Sequence, residues 1–383
     1  MKIINGIKTL CGDGVSLFQR EVDFYRIRPK TFTLFLTYRC NSRCKTCTMW
    51  KKPQDAEIAK EIGLDEWKRV VNQLQIADVK NVEVFGGNVL LRKEVLIPLL
   101  AYLRQKGMVI HLPTNQIGLD DDIAEAIVRH VSSVYISTDG VDQDQDAIRG
   151  IGGASNVGGE SITKLLSLRS KLCGSQPGVR LVCNCTVSKF NYRSITKVAK
   201  YAEEKGFDEI HFEYAGEFDS VDIKNSKVNG IEPEPFYVKQ EESILLNKQQ
   251  SFEMKNILKD LHHQFKESPL RISTVNIDSL SEKDLWQGTI PHKKCYAERN
   301  EVTVDPYGNV VICPFINNYV VGNLLEKPFA EIWNNGRHQI FRASQNRGDL
   351  PMCRHCILGV QRNPGIMKSL ERIYLTRIRP VIT

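Results

Sequence analysis

The chain has no uninterrupted apolar run near the roughly 20 residues that a membrane-crossing helix needs. An N-terminal secretory pattern is also missing: Met1–Lys8 has no long apolar core, and no small-residue cleavage site follows. No fixed-period repeat is present. One-signed charge is scarce too, because +7 over 383 residues is a mild basic bias and not a nucleic-acid signature. These absences predict a cytoplasmic protein with no transmembrane segment and no nucleic-acid partner. What remains is ordinary for a soluble globular chain, with 25% charged and 42% hydrophobic residues. The length suits one large α/β domain plus a smaller module.

Cysteine is the exception to this ordinariness. There are 11. Secretory disulfides fit poorly, since the count is odd and no export signal precedes them. Seven fall into two groups with ligand-like spacing. The other four, Cys11, Cys173, Cys183 and Cys185, read first as small buried hydrophobes.

From residue 31 onward, strand and helix patterns alternate. Strands are expected at Thr31–Leu36, Asn81–Phe85, Met108–Leu112, Val134–Ser137, Val179–Val187 and Glu209–Tyr214. Helices are expected at Leu64–Leu74 with Asp65 as N-cap, Glu94–Gln105, Asp121–His130, Ser161–Leu172 and Ser194–Lys205. Such alternation implies an α/β fold with a parallel sheet and right-handed crossovers. A partial (β/α)6 TIM-like barrel is the expected closure, with an open doubly wound sheet as the competitor; in both, ligands sit at the C-terminal strand ends. The expected divisions are 1–30 as an N-terminal extension, 31–215 as the barrel, 216–290 as a polar bridging insertion with a helix near Phe252–Phe265, and 291–383 as a small C-terminal β-hairpin/helix module with a tail. In that tail, Lys368–Arg379 mixes apolar and basic residues and reads as a docking or membrane-touching segment.

The first cysteine group is Cys40-Asn-Ser-Arg-Cys44-Lys-Thr-Cys47, directly after the first strand. Three thiolates from one loop can hold a 4Fe–4S cluster and leave one iron open to a ligand. Structural zinc prefers paired C-x2-C knuckles and a fourth ligand. Further along, Gly86-Gly87-Asn88, Thr114-Asn115-Gln116 and Ser137-Thr138-Asp139-Gly140 stand at successive strand ends. Together these residues resemble the radical S-adenosylmethionine (SAM) superfamily, over roughly Thr31–Tyr214.

That resemblance implies that the open iron binds SAM, that an electron from the cluster splits it, and that the resulting 5′-deoxyadenosyl radical abstracts hydrogen from substrate. It also implies SAM contacts at Gly86, Gly87, Asn88, Asn115, Ser137 and Asp139. The stretch from Asp142 to Arg149-Gly150 resembles the family's continuation. Two departures stand out. Asn88 replaces the usual glutamate and brings no charge. Thr46 stands where the family often has an aromatic residue, leaving Met49 or Trp50 to cover adenine.

The second group is Cys295, Cys313, Cys353 and Cys356. The first two flank a hairpin with the turn Asp305-Pro-Tyr-Gly308, and the last two form a C-x2-C knuckle. By ligand type alone, zinc and an iron–sulfur cluster compete. With Val321–Leu324 and Glu331–Asn334 between them, these cysteines resemble the SPASM module in its shortened twitch form. The resemblance implies one auxiliary 4Fe–4S cluster with four protein ligands, used for electron transfer.

The expected function is therefore a radical SAM oxidoreductase carrying two 4Fe–4S clusters. Its expected reaction is the two-electron dehydrogenation of a hydroxylated or sugar-like small molecule, with the auxiliary cluster as acceptor. An epimerase, a maturase of ribosomal peptides and a non-catalytic iron–sulfur sensor are the alternatives. A small molecule is expected over a peptide because only about 30 residues precede the barrel, short of a peptide-binding domain. Glu213 is the expected base and Cys185, or its neighbour Cys183, the expected hydrogen donor of an epimerase. A low-potential electron donor such as flavodoxin or ferredoxin is the expected partner.

Overall fold

The computed structural model describes residues 29–52, 58–174, 178–290, 295 and 297–358. Cys11, the tail at Lys368–Arg379 and all but the last two residues of the 1–30 extension lie outside the described residues. Within them, six strands form where the period-two pattern places them: β1 (Thr31–Thr37), β2 (Asn81–Gly86), β3 (Val109–Thr114), β4 (Ser133–Ser137), β5 (Arg180–Val187) and β6 (Glu209–Tyr214). The helices between them are α1 (Leu64–Ile76), α2 (Lys93–Gln105), α3 (Asp121–His130), α4 (Gln143–Arg149), α5 (Ala154–Cys173) and α6 (Ile195–Lys205).

Two helix starts differ from expectation. Gly63, not Asp65, caps α1, its N–H donating to the Glu66 carboxylate at 3.1 Å; Asp65 lies in the first turn, where its charge suits the helix dipole. The α5 helix begins seven residues before Ser161, at Ala154. Gly158 looks like a breaker, but a Cβ there would come within 2.9 Å of Gln116 Oε1. The glycine serves close packing of the helix.

Through these six strands the sheet order is β1-β2-β3-β4-β5-β6. From β1 to β6 the order never reverses, and each neighbouring pair is parallel. Right-handed crossovers that always step the same way put every helix on one face. A doubly wound sheet needs a reversal, so this is the barrel type. The helix face is the apolar core, with Phe32, Leu34 and Leu36 of β1, Val82 and Val84 of β2, and Ile210 and Phe212 of β6 all fully buried. Each such side chain contributes about 1.5–3 kcal/mol on burial. The alternate residues face the barrel lumen.

The sheet continues past the six strands at both edges. β7 (Arg271–Ser273), from the 216–290 segment, adds in parallel to β6. On the other edge, β8 (Glu301–Val304) pairs in parallel with β1, and β9 (Asn309–Val311) and β10 (Val320–Asn323) follow antiparallel. The β8–β9 turn is held by Asp305, whose Oδ1 accepts from the N–H groups of Tyr307 and Asn309, both at 2.9 Å. Gly308 supplies the positive φ (+84°) that the turn needs. Among the described residues, no helix is long and apolar enough to cross a membrane.

Candidate functional site

After β1 the chain enters the loop that carries Cys40, Cys44 and Cys47. Backbone hydrogen bonds pin this loop from two sides. Arg43 and Lys45 donate to the carbonyls of Arg149 (3.1 Å) and Ile148 (2.9 Å) at the end of α4, and Thr48 donates to Phe236 (2.7 Å). At the root of the loop, the buried Glu61 carboxylate accepts from Arg39 Nε (3.2 Å) and Nη2 (2.9 Å) and from the Thr37 hydroxyl. Arg92 stands on the other side of Glu61 at 3.4 Å. Two guanidiniums offset the cost of burying this charge.

The glycines of Gly86-Gly87-Asn88 have a reason visible in this loop. A Cβ at Gly86 would lie 2.3 Å from the Thr37 carbonyl oxygen, and one at Gly87 would lie 2.1 Å from that of Arg39. Gly87 and Asn88 donate to those same two carbonyls, at 3.0 and 2.7 Å. The Asn88 side chain is buried. It donates to Asn41 Oδ1 (3.0 Å) and the Ile117 carbonyl (2.8 Å), and accepts from Leu90 N–H (3.1 Å). Asn115 Nδ2 reaches Ser42 Oγ at 2.7 Å. Residues from the ends of β2 and β3 thus converge on Asn41–Ser42 in the loop after β1.

Asp139 is almost fully buried, and both its oxygens are engaged: Oδ2 by Arg149 Nη1 (2.9 Å) and Oδ1 by Thr186 N–H (2.8 Å). Gln145 accepts from the N–H groups of Asp139 and Gly140 and donates to the Ser137 carbonyl. Asn191 donates to the carbonyls of Asp139 and Thr186. Sequence reasoning missed Arg149, Glu61, Gln145 and Asn191 as site residues. Only Gln145 and Arg149 carried a signal, because both lie in the Asp142–Arg149 stretch.

Burial pushes all three loop thiols up, Cys47 to about 12, and the Arg149 guanidinium works against that push. Cys40 Sγ accepts from Ser42 N–H (3.4 Å) and Cys47 Sγ from Met49 N–H (3.5 Å). The three thiols are near enough to act on one another electrostatically. Thiolates here need a cationic centre, and soft sulfur donors supported by N–H groups fit an iron–sulfur cluster.

The second set converges as well. Burial, then the neighbouring Cys313, Cys356 and Cys295, push Cys353 far up. Among the described residues, no three His, Cys, Asp or Glu side chains close round a single metal ion; a cluster is ligated at separate irons and takes more room. The knuckle is clasped by the 216–290 segment. Asp222 Oδ2 meets Arg354 Nη2 (2.6 Å) and His355 Nε2 (2.8 Å), Ser226 Oγ accepts from Met352 N–H (3.0 Å), and Ile290 N–H donates to the Arg354 carbonyl (2.7 Å). Beside Cys295, buried Glu298 is held by Arg342 at 2.9 Å and His338 at 3.5 Å.

The strand register assigns faces to the remaining candidates. Cys183 and Cys185 pair with Ile210 and Phe212, are fully buried, and belong to the core under the helices. They share a face, as expected, but it is the face turned away from the lumen, so Cys185 is poorly placed as a hydrogen donor. Glu213 alternates with Phe212 and Tyr214 and faces the lumen, with His211 Nδ1 at 3.8 Å. Met49 is buried in the core, while Trp50 is partly exposed beside Lys51. One residue near the second cysteine set carried no sequence signal: the Tyr237 ring lies 5.4 Å from that of Phe315, and burial pushes its phenol up.

The radical SAM superfamily model matches residues 34–162, and the SPASM iron–sulfur cluster-binding domain model matches 295–357. The chain is 24% identical over 359 residues to the Fe-coproporphyrin III synthase of Methanosarcina barkeri, covering 88% of this chain and 82% of that one. It is 22% identical over 338 residues to the PqqA peptide cyclase of Streptomyces rochei, covering 86% and 81%. The crystal structure of Streptococcus suis SuiB bound to S-adenosylmethionine shares the fold, with a TM-score of 0.61 at 14% identity over 88% of this chain and 75% of that one.

Proposed function

The chain belongs to the radical SAM superfamily and ends in a SPASM cluster-binding domain, and we propose that this enzyme dehydrogenates a hydroxylated or sugar-like small molecule. In this reading Cys40, Cys44 and Cys47 hold a 4Fe–4S cluster with an open iron. Cys295, Cys313, Cys353 and Cys356 hold a second, fully ligated one. When bound, SAM and the two clusters supply hydrogen-atom abstraction and an acceptor for the electron left behind.

The residues of the chain do the rest. Arg149 sets a positive charge against the loop thiols and is itself held by Asp139. Both Asp139 oxygens are taken, so its part in SAM binding is to position Arg149. Asn88 retains one lone pair on Oδ1 for the SAM ammonium. The backbone at Gly86 and Gly87, with Asn115 and Ser137, shapes the wall along SAM. Glu213 takes the hydroxyl proton as the substrate carbon is oxidised.

The nearness of three further thiols, Cys295, Cys313 and Cys356, to Cys353 supports this reading most directly. A site with all its irons ligated leaves no iron for substrate and is best used for electron transfer. Mass spectrometry tests it: one SAM is consumed per product, and the product is two hydrogens lighter. A product of equal mass carrying one solvent deuterium would replace it with epimerisation. A second reading, oxidation of a peptide side chain, is favoured by the PqqA peptide cyclase among the relatives. A low-potential electron donor such as flavodoxin or ferredoxin fits the mild positive charge.

A further inference from the structure

The N-terminal ends of the strands, opposite the first cysteine loop, carry a charged cluster of their own. Arg180 is the first residue of β5, Glu209 the first of β6 and Arg271 the first of β7. Register sets Glu209 directly beside Arg271 on one side and Val182 on the other, two residues along β5 from Arg180. Leu181 and Ile210 are fully buried under the helices, so Arg180 and Glu209 face the lumen. One oxygen, Glu209 Oε2, serves both guanidiniums: Arg271 Nη2 at 2.7 Å and Arg180 Nη1 at 3.4 Å. Two cations against one carboxylate leave an excess of positive charge. The Glu209 side chain is only 11% exposed, whereas those of Arg180 and Arg271 are 40% and 47% exposed. The carboxylate lies behind, and the guanidiniums keep open edges. Ser133 of β4 pairs with Arg180 on one side and with His111 of β3 on the other. Two nitrogens here, Arg180 Nε and His111 Nδ1, are buried with no hydrogen-bond partner among the described residues. Buried polar groups are nearly always satisfied. A guanidinium N–H can only donate, so the group missing at Arg180 is an acceptor.

We propose that Arg180 and Arg271 form a subsite for an anionic group, a carboxylate or a phosphate, at the end of the substrate remote from the reacting carbon. The inference rests on the lumen being the substrate chamber. Guanidiniums offer paired N–H donors that match either anion. Glu209 fixes the two side chains and leaves their open edges to the ligand. On β6, Glu209 stands four residues before Glu213, about 13 Å at roughly 3.3 Å per residue. The substrate is then an elongated hydroxylated molecule, with its alcohol carbon toward the cysteine loop and its anionic end at the opposite mouth. Glu83, which pairs with His111, and Glu213 both repel an anion and hold it to the β5–β7 side.

The test titrates the full-length, cluster-reconstituted protein calorimetrically at low ionic strength with inorganic phosphate and with acetate; myo-inositol is the neutral control. At least one anion binds saturably at one site per chain, and the tighter of the two identifies the group. Arg180→Gln and Arg271→Gln each weaken it by about tenfold, the worth of a charge-assisted hydrogen bond. Arg271 lies at the exposed start of an edge strand, so its variant keeps the test open if Arg180→Gln fails to fold. Glu209→Gln tightens anion binding, because the carboxylate no longer competes for the guanidiniums. Unfolding midpoint and iron content show which variants have folded. No saturable binding of either anion, inositol binding as tightly as both, or unchanged affinity in the folded arginine variants overturns the proposal. A Glu209→Gln protein that loses stability with no gain in anion affinity marks the cluster as an ion pair only and overturns it too. SAM cleavage by the parent is read in parallel. Its loss would sink the cluster chemistry itself, whereas intact cleavage without an anion site sinks only the subsite.

Discussion

Arg149 Nη1 lies 2.9 Å from Asp139 Oδ2, and its backbone carbonyl receives the N–H of Arg43 inside the cysteine loop. One residue thus ties α4 to the loop through its backbone and to the end of β4 through its side chain. Its charge acts on Cys40 and Cys44 as well.

Arg149→Met leaves Asp139 buried without its cation, which costs about 3–5 kcal/mol. The unfolding midpoint in urea falls, and the reconstituted protein loses iron from the first site. Arg149→Lys keeps the charge and loses the fork, so its effect is smaller. Urea unfolding and iron analysis of both variants check this; an Arg149→Met protein with parental stability and iron would remove the positioning role.

Gly87→Ala forces a methyl group to within 2.1 Å of the Arg39 carbonyl oxygen, a backbone atom that cannot yield. The loop must shift, at a cost of about 1–3 kcal/mol or more. Gly152→Ala is the control, because nothing lies within 4 Å of a Cβ there. Iron content and thermal unfolding should drop for the first variant alone.

Anaerobic reconstitution should load about eight iron atoms per chain, the sum of two four-iron clusters. Replacing Cys40, Cys44 and Cys47 by alanine leaves about four, and so does replacing Cys353 and Cys356. Zinc at the C-terminal set, or iron unchanged in either variant, argues against two clusters.

His111 faces the lumen, and its buried Nδ1 has no hydrogen-bond partner among the described residues. Burial, and then Arg180, lower its pKa below the ordinary 6.5. The unfolded chain therefore binds the proton more readily, so stability is complete above about pH 6.5 and declines as pH falls toward the folded value. His130 shifts in the same direction. Thermal unfolding between pH 7.5 and 5.5 should show this decline, and His111→Gln should flatten part of it. An unchanged slope in the variant would assign the decline elsewhere.

Much of the barrel was legible because strand and helix periods are local properties. The burial alternation of β2 and β6 follows from residue type along each strand, and the ends of α3 and β6 match the pattern residue for residue. The cysteine loop and the knuckle were legible because each places its cysteines a few residues apart within one short segment. Less legible was the start of α5, where Gly158 breaks the pattern for the sake of packing against Gln116.

The sequence by itself determined the two cysteine sets, the strand–helix order and the sharing of one face by Cys183 and Cys185. Only the tertiary structure decided which face that was, because period two says that residues agree and not whether helices or lumen lie opposite. It also decided that Asp139 spends its charge on Arg149 and that the 216–290 segment clasps the knuckle through Asp222. The Asp222 contacts join residues far apart in the chain, and the Asp139 contact joins a strand end to a helix end across a turn. They depend on where right-handed crossovers and sheet register deliver each side chain, which no local pattern records.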